Sequence, residues 1–227
     1  MILSREVFFD LESKMKKAGF TSQLNVLKRV LKKKDRVPAD EFAKHAVYVV
    51  LAGGFRQKTA KTVHQKIMDF LQESAPGAGK SAITGELLKI FGNKNKVNAI
   101  ADIWLNRNRY RNGYYALEKE PLQTKLDYLL SIPHIGPITR NHLARNLGED
   151  VAKYDIWIQR LGAEWSGRKD LFKKINNSKL DEDVKKACDK MFRFLKQETS
   201  LPTGYIDLVL WWACTERLIL APGAFFS

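Results

Sequence analysis

The sequence Ile132-Pro133-His134-Ile135-Gly136-Pro137-Ile138-Thr139 is the most informative segment of the chain, because it ends one amphipathic helix and starts another within a few residues. Apolar periodicity predicts the first helix over residues 122–131 and the second over 139–147. Gly136 suits a turn position that needs a positive φ, and Pro137 suits the first turn of a helix, where no N–H is required. This stretch therefore predicts two helices joined by a tight hairpin.

The start of the second helix is a candidate anion site. Its exposed backbone N–H groups and the positive end of the helix dipole bind an anion such as a phosphate. Thr139, Arg140 and Asn141 can add contacts of the kind that position a protein on a nucleic acid without reading its sequence. Taken alone, the pattern is more typical of an ordinary helix–helix corner, and it is the acid downstream that favours the anion site.

An isolated carboxylate, Asp155, follows downstream in the locally apolar stretch 151–158. Aspartate is a favoured N-cap, and a capping role would hold Asp155 rigid and ionised at the start of a helix that also carries Arg160. A fixed anion beneath a sugar could stabilise the oxocarbenium ion that forms as a base leaves, and it could orient or deprotonate the attacking water.

Helical periodicity also dominates the remaining chain, and alternation typical of strands is nearly absent. The segment 5–17, for example, places Val7, Phe8, Leu11 and Met15 on one face. We therefore predict an all-α protein built from two helical layers or lobes.

Charge is the most informative property of the composition. The 227 residues contain 39 Lys and Arg against 25 Asp and Glu, a net charge of +14. A polyanionic partner explains this excess most simply, and nucleic acid is the commonest such partner. No apolar run is long enough to span a membrane, and the N-terminus lacks the apolar stretch of a signal peptide, so we expect a cytoplasmic protein that is not exported.

The two cysteines, Cys188 and Cys214, exclude several classes of site. Two cysteines do not form a disulfide scaffold in a chain of this size, and two alone cannot hold an iron–sulfur cluster or a structural zinc ion. We therefore expect no cofactor.

The segment 74–81, Ser-Ala-Pro-Gly-Ala-Gly-Lys-Ser, is similar to a nucleotide-binding P-loop. Ser74 replaces its first glycine, and the preceding residues 67–72 predict a helix where a P-loop follows a buried strand. The sequence therefore argues against ATP binding here.

Together, the hairpin, Asp155 and Arg160 resemble the helix-hairpin-helix DNA glycosylases, most densely over residues 126–162. The resemblance implies two helical lobes with an active-site cleft between them, into which a nucleotide of bent duplex DNA is everted. Residues 1–37 with 151–227 would form the lobe that carries the catalytic Asp155, and residues 38–150 a helical barrel with the hairpin at 132–139. The backbone-binding residues would be His134, Gly136, Ile138, Thr139, Arg140 and Arg160.

Three positions depart from the family pattern: His134 replaces the first hairpin glycine, Tyr154 replaces the proline before the acid, and Ile138 replaces the lysine of bifunctional members. Without an amine at position 138 a covalent imine cannot form there. The resemblance thus implies a monofunctional glycosylase, without the iron–sulfur cluster of some relatives. In many members the hairpin carbonyls also hold a monovalent cation.

Several side chains are candidates for filling the gap in the duplex or lining the base pocket. Phe55 and Arg56 occupy the place of the family's intercalating loop, although an ordinary connecting loop explains them equally well. Aromatic residues near the site or in a basic-aromatic cluster are further candidates, with core packing as the alternative for each: Trp104, Tyr154, Trp157 and Trp211.

The function that these residues predict is hydrolysis of the N-glycosidic bond of a damaged or modified base, by a monomer acting on double-stranded DNA. The setting would be base excision repair or defence against phage DNA with modified bases. A non-catalytic helix-hairpin-helix DNA-binding protein is the main alternative, and an RNA-processing factor a third. Alkylated purines, deaminated bases and bulky modified cytosines all remain open as substrates.

Overall fold

The structure, a computed structural model, describes residues 3–53, 57–74 and 77–220. These residues form twelve α-helices and no β-strand, which confirms the predicted all-α class. The helices are α1 (Arg5–Met15), α2 (Thr21–Lys33), α3 (Ala39–Ala52), α4 (Gln57–Glu73), α5 (Lys80–Ile90), α6 (Lys94–Leu105), α7 (Arg107–Ala116), α8 (Leu122–Leu129), α9 (Thr139–Asn146), α10 (Ile156–Trp165), α11 (Glu182–Thr199) and α12 (Thr203–Thr215).

The chain divides into two compact units. The terminal unit combines Met1–Asp35 with Gly148–Ser227, and the central unit is Arg36–Leu147. The terminal unit contains α1, α2 and α10–α12, with a π-helical turn at Lys16–Phe20 and a 3₁₀ turn at Lys169–Lys174. The central unit contains α3–α9.

The terminal unit has its own hydrophobic core, to which all five of its α-helices contribute. In α1, Ser4 accepts the backbone N–H of Val7 as N-cap, and Phe8, Leu11 and Met15 are buried as their spacing predicts. Helix α10 packs against α11 and α12. A Cβ on Gly162 of α10 would lie 2.5 Å from the Sγ atom of Cys188, so this glycine permits the close approach of α10 and α11.

In the central unit, α3 is the helix around which the others are arranged, because it packs against α4, α6, α7 and α9. Several of its apolar residues, including Phe42 and Val47, are fully buried. Helix α4 directly precedes the segment that is similar to a P-loop, which confirms a helix where nucleotide binding would require a strand. Among the described residues, no helix combines the length and the apolar character needed to cross a bilayer.

Candidate functional site

The hairpin of the central unit joins α8 to α9, and these two helices pack against each other. Ile132 and Ile135 are buried at 1% and 6% exposure and anchor the turn in the core. The backbone N–H of Ile135 donates to the carbonyl of Ile132, and that of Arg140 donates to the carbonyl of Gly136. The connection is therefore a fixed turn rather than a loose linker, as the sequence predicts.

The left-handed residue of this turn is His134, with φ of 66°, and the prediction that Gly136 would have a positive φ is wrong. Gly136 instead donates its N–H to Oγ1 of Thr139 at 2.7 Å, and that hydroxyl donates to the Gly136 carbonyl at 3.2 Å. The two buried isoleucines place the bend between them, at the exposed His134. Histidine therefore adopts the conformation that glycine adopts without steric cost.

The start of α9 offers free backbone donors. Among the described residues, the N–H groups of Ile138 and Thr139 donate to no acceptor, and no side chain caps the helix. Ile138 itself is 5% exposed, so it can present only its backbone to a ligand. Two N–H groups at the positive end of a helix suit a phosphate oxygen, which keeps this turn as the candidate backbone-binding site.

Arg140, a predicted phosphate contact, is paired with a carboxylate of the neighbouring helix. Its Nη1 atom donates to Oδ1 of Asp127 on α8 at 2.7 Å, and 19% of its side chain is exposed. Gln123 donates to the same oxygen at 2.8 Å. In this geometry Arg140 ties α9 to α8, and a phosphate would have to compete with Asp127 for it.

The hairpin carbonyls fit the monovalent cation that the resemblance implies. The carbonyl oxygens of Pro133, His134 and Ile135 accept no hydrogen bond from the described residues, so hard oxygen donors are available there. These three carbonyls would hold such an ion, which would add positive charge next to a bound phosphate.

We expect Thr139→Val to weaken duplex DNA binding several-fold. The change keeps the side-chain shape and removes the hydroxyl that organises Gly136, and an unmade hydrogen bond of this kind costs about 1–3 kcal/mol. Fluorescence anisotropy with a labelled duplex measures the affinity. Thr139→Ser, which keeps the hydroxyl, should bind like the unchanged protein; equal weakening in both variants would show that the hydroxyl has no part in it.

Asp155 lies in the terminal unit and is the N-cap of α10, as the sequence predicts. Its Oδ1 atom accepts the backbone N–H groups of Trp157 at 3.1 Å and Ile158 at 3.3 Å. Its Oδ2 atom lies 3.2 Å from Nζ of Lys153, and only 12% of its side chain is exposed. The carboxylate is therefore rigid, largely desolvated and held at the positive end of a helix dipole.

The backbone before Asp155 is equally well fixed. Tyr154 adopts a left-handed conformation with φ of 54°, and its hydroxyl donates to Asp189 of α11. Its carbonyl accepts the side-chain N–H of the fully buried Gln159 at 2.8 Å. The ring of Phe192 packs edge-on against that of Tyr154. Tyr154 thus acts as an anchor of the loop that presents Asp155.

The other candidates in the terminal unit lie on α10 and α12. Trp157 and Arg160 belong to the first turns of α10, and the Arg160 guanidinium lies 5.6 Å from the centre of the Trp157 ring. Trp211 is partly buried against the core, whereas its neighbour Trp212 is 5% exposed and packs against Phe20. Trp157 and Trp211 keep part of their surface accessible, so both remain candidates for contact with a base.

Trp104 belongs to the central unit and is 7% exposed. The guanidinium of Arg107 lies 4.3 Å from its ring centre and also pairs with Asp40. Trp104 contributes to the wall of a cavity of about 560 Å³ together with residues of α4, α5 and the segment between them. Phe55 and Arg56, the candidates for the intercalating loop, lie outside the described residues.

Both cysteines are buried and neither forms a disulfide. Burial raises the pKa of the Cys188 thiol, and it raises the pKa of Cys214 well above its usual value, with the carboxylates of Asp155 and Asp207 adding to that rise. Neither thiol is therefore poised as a nucleophile. Within the described residues, no three His, Cys, Asp or Glu side chains gather into a metal site.

Sequence reasoning missed Lys153 and Asp127, which are the partners of the two most important predicted charges. Lys153 stands two residues before Asp155, so a nearby opposite charge was the available signal, but its contact depends on the left-handed turn at Tyr154. Asp127 and Arg140 lie on different helices, and only the packing of α8 on α9 brings them together.

No protein-family model matches this chain, and no curated protein matches it. Two solved structures share its fold. One is the Methanocaldococcus jannaschii 8-oxoguanine glycosylase/lyase in complex with a 15mer DNA containing 8-oxoguanine, with a TM-score of 0.65 and 20% identity over 93% of this chain and 98% of that one. The other is the 8-oxoguanine DNA glycosylase of the same organism, with a TM-score of 0.65 and 19% identity over 93% and 94% of the two chains.

Both similarities extend over nearly the whole of each chain, so they concern the complete fold and not the hairpin alone. The resemblance to the DNA glycosylases that the hairpin and Asp155 indicate is therefore confirmed at the level of the fold.

Proposed function

We propose that this chain is a monofunctional DNA glycosylase, which hydrolyses the N-glycosidic bond of an everted, modified base in double-stranded DNA and leaves an abasic site. The observation that carries the proposal is the carboxylate of Asp155, fixed by two backbone N–H groups at the start of α10 in a fold shared with two solved structures of DNA glycosylases. The net charge of +14 supports a polyanionic partner.

The chemistry follows from the charge that develops in the reaction. When the bond between C1′ and the base nitrogen breaks, its electron pair leaves with the base and the sugar becomes an oxocarbenium ion. A fixed carboxylate next to that sugar stabilises the positive charge without having to reorganise. Water then adds its oxygen to C1′, one of its protons is lost, and the departing base gains a proton.

In this proposal the hairpin binds the DNA backbone. The free N–H groups of Ile138 and Thr139 bind a phosphate of the DNA strand, while Asp155 meets the sugar of the everted nucleotide. Trp157 and Trp211 are the described side chains best suited to stack on the base. The protein is expected to act as a monomer.

We expect no lyase activity. Position 138 holds a buried isoleucine, so no side-chain amine stands where bifunctional members of the family carry their Schiff-base lysine. Lys153, whose Nζ atom lies 3.2 Å from Oδ2 of Asp155, is the amine to test as a substitute nucleophile. Incubation with abasic DNA and borohydride should therefore trap no covalent complex, whereas the archaeal glycosylase/lyase serves as positive control. A trapped adduct that Lys153→Arg abolishes would contradict the monofunctional assignment.

The glycosylase proposal is tested by release of free base from a panel of modified duplexes, measured by mass spectrometry. The panel contains alkylated purines, deaminated bases and bulky modified cytosines, with 8-oxoguanine added because both structural neighbours are 8-oxoguanine glycosylases. Release of a damaged base would indicate repair, and release of a bulky modified cytosine would indicate defence against phage DNA. Tight duplex binding with no base released from any substrate would instead favour the non-catalytic DNA-binding protein.

A further inference from the structure

Both oxygens of the Asp155 carboxylate have partners within the protein. Oδ1 accepts the two backbone N–H groups at the start of α10, and Oδ2 lies 3.2 Å from Nζ of Lys153. The two side chains of this ion pair are 12% and 19% exposed, so solvent screens their attraction only weakly. A cation at this position neutralises the anion that the proposed reaction needs.

The substrate brings a competing anion to the same place. A nucleotide's own sugar carries a phosphate on O5′ and another on O3′, so a sugar held against Asp155 brings at least one phosphate into the neighbourhood of Lys153. Lysine suits an exchange between two anions, because its ammonium is a compact charge on a flexible four-carbon stem with no fixed hydrogen-bond geometry.

The residues that follow Lys153 are fixed by contacts that do not involve its side chain. Tyr154 is anchored through its hydroxyl to Asp189 and through its carbonyl to Gln159, and Asp155 is held by the N–H groups of α10. Movement of the Lys153 ammonium away from Oδ2 therefore leaves the backbone and the Oδ1 contacts of Asp155 in place.

We propose that Lys153 exchanges Asp155 for a phosphate next to the everted nucleotide, so that it masks the catalytic carboxylate in the free protein and releases it when DNA is bound. This inference rests on the proposed function, because it assumes that a nucleotide is held at Asp155. Lys153 is then both a backbone-binding residue and a positioning residue that couples DNA binding to the charge of the site.

The first test is the salt dependence of binding to a duplex that contains a tetrahydrofuran abasic-site analogue, which has no base to release. Each phosphate neutralised by a lysine adds about 0.9 to the slope of log K against log salt concentration. We expect Lys153→Met to reduce the magnitude of that slope by about 0.9 and to weaken binding several-fold at moderate salt. Lys153→Arg, which keeps the charge, should retain the slope.

Lys14→Met is the matched control, since Lys14 also pairs with a carboxylate, that of Asp10 at 2.7 Å, on an exposed face of the terminal unit. We expect its slope to equal that of the unchanged protein. A slope that Lys153→Met leaves unchanged would overturn the exchange and make Lys153 a purely structural partner of Asp155. Thermal melts of each variant establish that the protein compared is folded.

The second test is a double-mutant cycle on affinity for the same duplex. Asp155→Asn removes the anion that holds Lys153, so it should tighten binding several-fold when it is the only substitution and much less when it is combined with Lys153→Met. Equal tightening in both backgrounds would contradict the exchange. Neither measurement depends on base release. If the protein releases base but the effects of Lys153 and Asp155 on DNA affinity are independent, only the exchange is refuted. If the two effects are coupled but no substrate releases a base, only the proposed function is refuted.

Discussion

Asp155→Asn is expected to lower the rate of base release by at least about 100-fold, the loss typical of removing a group that stabilises charge in a transition state. Asparagine caps a helix about as well as aspartate, so the N–H groups of Trp157 and Ile158 keep an acceptor and the fold is retained. What is lost is the negative charge. Single-turnover release of free base from the substrate found in the panel measures the effect.

Asp170→Asn is the control for this experiment. Asp170 is an exposed carboxylate of the same terminal unit, paired with Arg168 through two hydrogen bonds, and its loss should leave the rate unchanged. If Asp155→Asn releases base as fast as the unchanged protein, the proposed mechanism is wrong. If Asp155→Asn no longer releases base but still binds DNA, the role of Asp155 is chemical and not only structural.

Gly162→Ala is expected to destabilise the terminal unit by about 1–3 kcal/mol, the usual cost of overpacking a core. The new Cβ would lie 2.5 Å from Sγ of Cys188 and 3.0 Å from both its Cα and its backbone nitrogen, so the clash involves a backbone that cannot simply rotate away. At about 2–4 °C of Tm per kcal/mol for a chain of this length, thermal melting should reveal it. Because α10 carries Asp155, base release should fall as well.

Gly85→Ala is the same chemical change, but we expect it to stabilise the protein. Gly85 lies inside α5 and a Cβ there would meet nothing within 4 Å, so the variant should gain about 0.5–1 kcal/mol of helix stability. Adding Cys188→Ala to Gly162→Ala removes the Sγ clash but not the backbone contacts, and should restore part of the lost stability. If Gly162→Ala is as stable as the unchanged protein, α10 and α11 can move apart without loss of stability.

Local sequence patterns predicted the elements of this fold well, because they depend on neighbours in the chain. The spacing of Phe8, Leu11 and Met15 predicted α1, and the run from Leu122 through the hairpin predicted α8 and α9. The capping role of Asp155 was also predictable, since an aspartate directly before an apolar periodic segment satisfies the first N–H groups of a helix.

The conformation of the hairpin was harder to predict from residue types. Glycine is the residue best suited to a positive φ, yet the left-handed position is His134, while Gly136 is held by the Thr139 hydroxyl. The burial of Ile132 and Ile135 fixes where the chain bends, and burial depends on the helices that pack around the turn. Tertiary packing therefore overrode the local preference at this turn.

Neighbouring residues and composition were enough to predict the helices, the position of the turn and a rigid acid in a strongly basic chain. The folded structure was needed to identify the partners of the charged and hydroxyl groups: Lys153 for Asp155, Asp127 for Arg140 and Asp189 for Tyr154. The reason is physical, since a charged side chain that loses water on folding must find a partner wherever packing brings one within reach.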